Sequence, residues 1–219
     1  MNNLMPDFAS EKWQGAFLAL ICGSMILFLS FGIRHAFGIF LQPLTMDHGW
    51  GRETFAFAIA LQNLVWGVSQ PFTGMLADRF GAKPVLAFGA ILYASGLWVM
   101  SIVGSETLFI FGAGILIGLG LSGTTFPVIF GAISRLVAPE QRSLAMGITM
   151  SVASFGQFAM LPIALGLITG LDWQIALIVL SILAFAMLPL AFGISSELPQ
   201  QNPNLEDVSF TQALRDAFG

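Results

Sequence analysis

The sequence predicts an all-α membrane protein built as a bundle of six transmembrane helices. Three observations carry that reading. The chain has 219 residues, of which 56% are hydrophobic and only 9% charged, whereas ordinary soluble domains are about 25% charged. Six stretches of at least 21 residues contain no Asp, Glu, Lys or Arg, and about 20 apolar residues suffice to cross a hydrocarbon core as a helix. The basic residues also gather on loops that would share one side of the bilayer.

The same numbers exclude other classes. A single cysteine, Cys22, cannot build a disulfide scaffold. A net charge of −4 without a basic patch argues against nucleic acid as a partner. The apolar content is too high for a disordered chain. Barrel strands alternate in polarity over about ten residues, and these runs do not alternate.

Residues 1–12 read as a polar segment on the cytoplasmic side, followed by an apolar run too long for a signal peptide. A six-helix domain follows over 13–196. Its charge-free windows are 13–33, 54–77, 84–105, 107–134, 143–171 and 173–196. A longer reading of the first span, 15–42, takes in Arg34 and His35. Short loops separate the spans, around 47–51, 78–83, 105–106, 138–142 and 170–172, so consecutive helices are antiparallel neighbours. With the N-terminus inside, Lys12, Arg79, Lys83, Arg135, Arg142 and Arg215 lie inside and only Arg52 outside. Residues 197–219 are polar at first. Ser209 then caps a short amphipathic stretch with Phe210, Leu214, Ala217 and Phe218 on one stripe. The chain ends in mid-element and reads as truncated, or as the first half of something larger.

Spans two and five share punctuation. From Arg52, glycine follows at Gly67, proline at Pro71 and glycines at Gly74 and Gly81; from Arg142 the sequence offers Gly156, Pro162, Gly166 and Gly170. That suits two inverted repeats of three helices each, a common plan among secondary transporters.

The loop after span two reads Gly74-Met75-Leu76-Ala77-Asp78-Arg79-Phe80-Gly81-Ala82-Lys83-Pro84-Val85-Leu86. Physically, Gly74 permits close approach of another helix, and Asp78 can face the positive N-terminus of a partner helix. Arg79 and Lys83 are placed to hold Asp78, and Gly81 allows a tight turn. The stretch resembles the signature of the major facilitator superfamily, G-x-L-a-D-r-x-G-r-k-x-x-l. Ala82 stands where that pattern has Arg. The resemblance implies the N-terminal half of a twelve-span secondary active transporter that works by alternating access. Residues 197–219 would begin its central cytoplasmic loop. It implies a location in the plasma membrane, the inner membrane of a bacterium. It also implies that Gly74, Asp78, Arg79, Gly81 and Lys83, counted together with Arg142 on the neighbouring inside loop, form a conformational gate between the halves. A finer similarity lies in Gly32-Ile33-Arg34, Phe37-Gly38-Ile39-Phe40 and Gly49-Trp50-Gly51-Arg52, which look like the first span and loop of bacterial relatives of the monocarboxylate and oxalate/formate carriers. The Asp-Gly-Gly opening of the animal monocarboxylate signature is absent.

Polar side chains concentrate in spans one, two, four and five, the four that line the central cavity in the family. A cation inside an apolar span should face a cavity and a partner, and guanidinium presents a planar fork that fits a carboxylate. Arg34 is therefore the leading candidate for holding an anionic substrate, a small organic anion such as a monocarboxylate. The competing reading has Arg34 snorkelling to the outer interface. Gln62, Asn63, Gln157 and Thr125 are candidate hydrogen-bonding partners of substrate, with helix–helix bonding as the competing role. Phe126 and Trp66 read either as cavity wall or as packing. His35 reads as packed and His48 as a loop residue. All twelve carboxylates lie at span ends, in loops or in tails, so a coupled proton or counter-anion would depend on residues elsewhere. Neither a cofactor nor a metal site is expected, with one Cys and two His, and no enzymatic activity is read.

Gly118-Leu119-Gly120-Leu121-Ser122-Gly123 fits a dinucleotide fingerprint, but it lies inside an apolar span rather than between strand and helix. It reads as close helix packing. Its Gly120-Leu121-Ser122-Gly123 also resembles the serine motif of six-span rhomboid proteases, yet span six carries no histidine base. Six helices alone leave the cavity face uncovered. The expected partners are therefore the lipid bilayer and either a C-terminal six-helix half or a second copy. The rival reading is a half-size, non-transporting protein that needs such a partner.

Overall fold

The computed structural model describes residues 11–194, with side chains from Gly15 onward. The polar N-terminal segment 1–10 and the amphipathic stretch at 209–218, with Arg215, lie outside the described residues. Six helical rods follow one another. Rod α1 runs Glu11–His35, continues through a tighter turn at Ala36–Phe40 and ends with Leu41–His48. Next come α2 (Arg52–Phe80) and α3 (Ala82–Ser101). Rod α4 covers Glu106–Leu136, and α5 (Arg142–Gly170) follows a turn at Pro139–Gln141. Rod α6 combines Trp173–Phe185 and Met187–Phe192. Among the described residues there is no strand.

Five of the six stretches are long and apolar enough to cross a membrane. The exception is α2. Its 29 residues reach about 43 Å at 1.5 Å per residue, but Gln62, Asn63, Ser69 and Gln70 dilute its apolar character. The longer reading of span one lies closer to the structure than 13–33, because α1 passes straight through Arg34 and His35. Asp47 and His48, expected in the loop, close the helix, and the chain turns at Gly49, where φ is 68°.

Glycine explains how the rods meet. In lipid there is little hydrophobic drive between helices, so association rests on close van der Waals approach through small residues. Rods α1 and α5 form the most extensive pairing. A Cβ on Gly156 would stand 2.4 Å from the Phe28 carbonyl oxygen, and one on Gly32 would stand 2.7 Å from that of Gly156. Rod α4 meets α2 in the same way: a Cβ on Gly118 would stand 2.9 Å from the Gln62 carbonyl oxygen and one on Gly114 3.0 Å from the Leu61 side chain. Its other side meets α3, where a Cβ on Gly120 would stand 2.7 Å from the Tyr93 nitrogen and one on Gly123 2.9 Å from the Val85 carbonyl. The glycine-rich string in span four is therefore a two-sided packing surface.

The pairing is symmetric. Rod α1 crosses α5 and α4 crosses α2, so each repeat lends its first helix to the other. Both α2 and α5 are 29-residue helices with one internal proline, Pro71 and Pro162. The crossings match the two inverted repeats expected from sequence.

Rod α4 is not continuous. It opens as Glu106–Ile110, widens into a π-helical stretch at Phe111–Leu116, resumes over Ile117–Gly123 and breaks. Thr125 is extended (φ −113°, ψ −174°) before Phe126–Leu136 begins, with Pro127 in its first turn. Non-helical backbone at membrane depth survives only where protein or a cavity surrounds it. Thr124 and Thr125 are fully buried. The Thr124 hydroxyl donates to the Gly120 carbonyl (2.9 Å) and lies 3.0 Å from the Ser30 hydroxyl, while Tyr93 donates to the Ser30 carbonyl (2.9 Å). Rods α1, α3 and α4 are knotted together at this level.

Opening the glycine crossing should cost stability. Gly156→Ala is expected to destabilise the bundle by about 1–3 kcal/mol through overpacking. Gly67→Ala, whose Cβ would meet nothing within 4 Å, should be neutral or gain up to about 1 kcal/mol of helix propensity. Denaturant unfolding of the two variants in one detergent checks the contrast.

Candidate functional site

Rod α1 continues 14 residues beyond Arg34, to His48. That places about 20 Å of helix on the far side of the guanidinium and about 28 Å between it and Gly15. Arg34 thus lies inside the rod, not at its end. Its side chain crosses to α2, where one terminal nitrogen donates to the Asn63 side-chain oxygen. The guanidinium carbon lies 5.0 Å from the centre of the Trp66 ring. Asn63 and Trp66 are three residues apart and so share one face of α2. The Arg34 Nε is buried without an acceptor. Among the described residues Arg34 pairs with no carboxylate, and the ion pair present joins other residues.

Trp66 fixes the next layer. Its indole nitrogen donates to the Thr125 hydroxyl at 3.3 Å, so the break in α4 supplies an acceptor that a regular helix would not present. Phe31, one turn below Arg34 on α1, meets the Trp66 ring edge-on at 6.1 Å and lies 4.7 Å from Phe126. Phe126 is 5.1 Å from Phe130, a turn further along α4. Arg34, Asn63, Thr125 and Phe126 are thus brought together, with Trp66 and Phe31 between them. Gln157 is half-buried on α5, beside the Gly156 crossing. Gln62 is elsewhere. It is buried and donates to the Ala113 carbonyl of α4 at 2.8 Å, so its amide satisfies backbone loosened by the π-helical stretch.

Two histidine readings change. His35 is exposed, not packed. His48 is packed, not a free loop residue. Its Nε2 lies 3.0 Å from the Val103 carbonyl and its ring lies 4.3 Å from Trp50 and 5.4 Å from Trp173. Trp173 in turn donates to Asp47 at 3.2 Å. This aromatic group ties the three loops at the far end of the bundle.

The motif at the opposite, basic end is assembled differently from expectation. Asp78 is held by Arg135 of α4 at 2.5 Å, not by Arg79 or Lys83. Arg79 lies over the Phe80 ring (5.3 Å) and Lys83 near Phe192 (5.8 Å). Gly81 takes φ 86°, which spares the turn a Cβ clash. Arg142 donates to the Val137 carbonyl at 3.3 Å. Gly74 has no neighbour within 4 Å of a would-be Cβ, so no described helix uses the approach it offers. Arg135 was absent from the expected cluster. Its signal was its place at the inside end of span four, on the same side as the Asp78 loop.

Residues 15–218 match the Major Facilitator Superfamily. The chain belongs to that family. It is 27% identical over 151 residues to Monocarboxylate transporter 13 of Rattus norvegicus, covering 69% of this chain and 35% of the relative. It is 32% identical over 138 residues to Multidrug resistance protein MdtH of Klebsiella pneumoniae, covering 63% and 33%. A crystal structure of the peptide transporter POT in complex with sulfate superposes with a TM-score of 0.66 at 18% identity, covering 94% of this chain and 43% of that one. The chain therefore spans about a third of the curated relatives and less than half of the solved transporter. The fold is that of a multi-pass membrane protein of this family.

The Asp78–Arg135 pair should contribute little to stability. Asp78 is 68% exposed, and exposed pairs are worth about 0–1 kcal/mol. Asp78→Asn is expected to shift unfolding by less than about 1 kcal/mol, and the shift should shrink further in high salt. Unfolding curves at low and high ionic strength test this.

Proposed function

We propose that this chain is the N-terminal six-helix unit of a secondary active transporter that carries a small organic anion, a monocarboxylate in the first instance, by alternating access. The observation that carries the reading is Arg34. It is a cation inside a membrane helix, oriented by Asn63 and Trp66, with a buried Nε lacking an acceptor. A guanidinium within a membrane span that has no carboxylate partner is costly, and a carboxylate would supply both charge and acceptors to the guanidinium fork. The name of one relative, Monocarboxylate transporter 13, supports the same class.

The unit works with a second six-helix body, either a C-terminal half or another copy. Rods α2 and α5 support this. Only 22% of the apolar window within Pro139–Gly170 is buried, and Gly67, Gly74, Gly147, Gly166 and Gly170 have open space where a Cβ would stand. The motif end, with Asp78, Arg79, Gly81, Lys83 and Arg142, faces the cytoplasm of a bacterial cell on this reading and gates the contact between the bodies.

Uptake of a labelled monocarboxylate by proteoliposomes carrying the natural protein tests the proposal. Arg34→Ala should lower uptake at least 10-fold, and Arg34→Lys, which keeps the charge but not the fork, should fall between. Unchanged uptake in a well-folded Arg34→Ala variant removes Arg34 from the site.

A further inference from the structure

The aromatic side chains beside Arg34 form more than a wall. Trp66, Phe31, Phe126 and Phe130 follow one another with ring centres 6.1, 4.7 and 5.1 Å apart. The series starts under the guanidinium and descends toward the basic end, because α4 runs in that direction from Phe126 to Arg135. Trp66, Phe126 and Phe130 are each half-buried, so part of each ring remains uncovered by the six helices. The series is held in place at both ends. The Thr125 hydroxyl fixes the indole of Trp66, and Phe126 and Phe130 stand four residues apart on one face of α4.

The charged group of this series is at its top; lower down, the hydroxyls of Thr73 and Ser134 are turned back to helix carbonyls. Asn63 takes up one nitrogen of Arg34, and the Thr125 hydroxyl is already used by Trp66. The other described basic side chains, Arg52, Arg79, Lys83, Arg135 and Arg142, lie at or next to the ends of the rods. A molecule seated with its carboxylate on Arg34 would therefore lay its remaining atoms on ring faces. A second charge there would lose its hydration and gain nothing from these rings. An apolar or aromatic group would gain burial and offset ring contacts.

We propose that the site selects carboxylates bearing an aryl or branched alkyl group, with the carboxylate on Arg34 and the apolar group along Trp66, Phe126 and Phe130, which Phe31 backs from within the core. This rests on the anion reading of Arg34. It narrows that reading to a body large enough to reach the rings, which formate and oxalate are not.

The test is isothermal titration of the purified natural protein with sodium phenylacetate, isovalerate, acetate and oxalate. Phenylacetate and isovalerate should bind at least 10-fold more tightly than acetate, and oxalate no better than acetate. Phe126→Ala should shrink the phenylacetate-to-acetate ratio to below about 3-fold. Phe130→Ala, further from Arg34 and from the α4 break, provides the same readout if Phe126→Ala fails to fold. Arg34→Ala should abolish binding of all four. Equal binding of phenylacetate and acetate, both lost in Arg34→Ala, overturns the selectivity proposal and leaves the anion reading standing. So does a ratio unmoved by both Phe variants. Binding that survives Arg34→Ala, or no binding of any carboxylate, overturns the anion reading and this proposal with it.

Discussion

Contact between helix backbones at glycine is the constraint on which the rest of this bundle depends. In water, burial of apolar side chains would draw the rods together; in lipid the tails are as apolar as the side chains, so shape and proximity must do that work. At Gly156, Gly32, Gly118, Gly120 and Gly123 a Cβ would fall within 3 Å of a neighbouring helix, and a bound side chain there would force the backbones apart. That proximity sets which faces are inside. It brings α1 to α5 and α4 to α2 and α3, and so decides which side chains of α1 and α2 look at each other.

The polar groups follow from that placement. With the crossing at Gly32 fixed, Arg34 lies half a turn further on and reaches Asn63 of α2. With Gly118 fixed against the Gln62 carbonyl, the Gln62 amide is turned into α4 and finds the Ala113 carbonyl, while Asn63, next in sequence, is turned about 100° away toward Arg34. Two adjacent amides thus have different roles because of one glycine contact. The break at Thr124–Thr125 obeys the same rule. Its loosened backbone is buried, and its hydroxyls bond to Gly120, Ser30 and Trp66.

Much of this was legible in the residues. Charge-free windows located six rods, because the cost of charge in hydrocarbon leaves a clear trace in composition. The glycine string in span four and the matched punctuation of spans two and five pointed to close packing and to repeats, and the structure places both. Of the four spans in which polar groups concentrate, one, two and four meet around Arg34, while Gln157 of span five is not among its partners. The boundaries of α1 were less legible, since Arg34 and His35 look like a helix end when only charge is counted. The partners of charged groups were least legible. Asp78 has three cations near it in sequence or loop register, and only the three-dimensional position of α4 selects Arg135. Trp66 carried a signal that was available, its spacing of three from Asn63, but spacing alone does not say that a guanidinium from another helix lies over the ring.

The glycines divide into two sets, and that division bears on how such a unit could move. Those at the α1–α5, α4–α2 and α4–α3 crossings are already at contact, and packed helix surfaces of this kind rearrange between discrete arrangements rather than deform smoothly. Sliding α1 along α5 would move Gly32 and Gly156 off the positions where they already lie against Gly156, Met160 and Phe28, and bring larger side chains to the crossing. The six rods are therefore suited to moving as one body. The glycines of the second set, Gly67 and Gly74 on α2 with Gly147, Gly166 and Gly170 on α5, touch nothing within the unit, and a smooth surface of that kind lets a second body approach and slide. On the reading that Arg34 binds an anion in alternating access, the moving surface is the one carried by α2 and α5, and the site is carried along intact. The Arg34–Asn63–Trp66 group joins two helices of the same body, so rocking would change what faces the guanidinium without breaking what orients it.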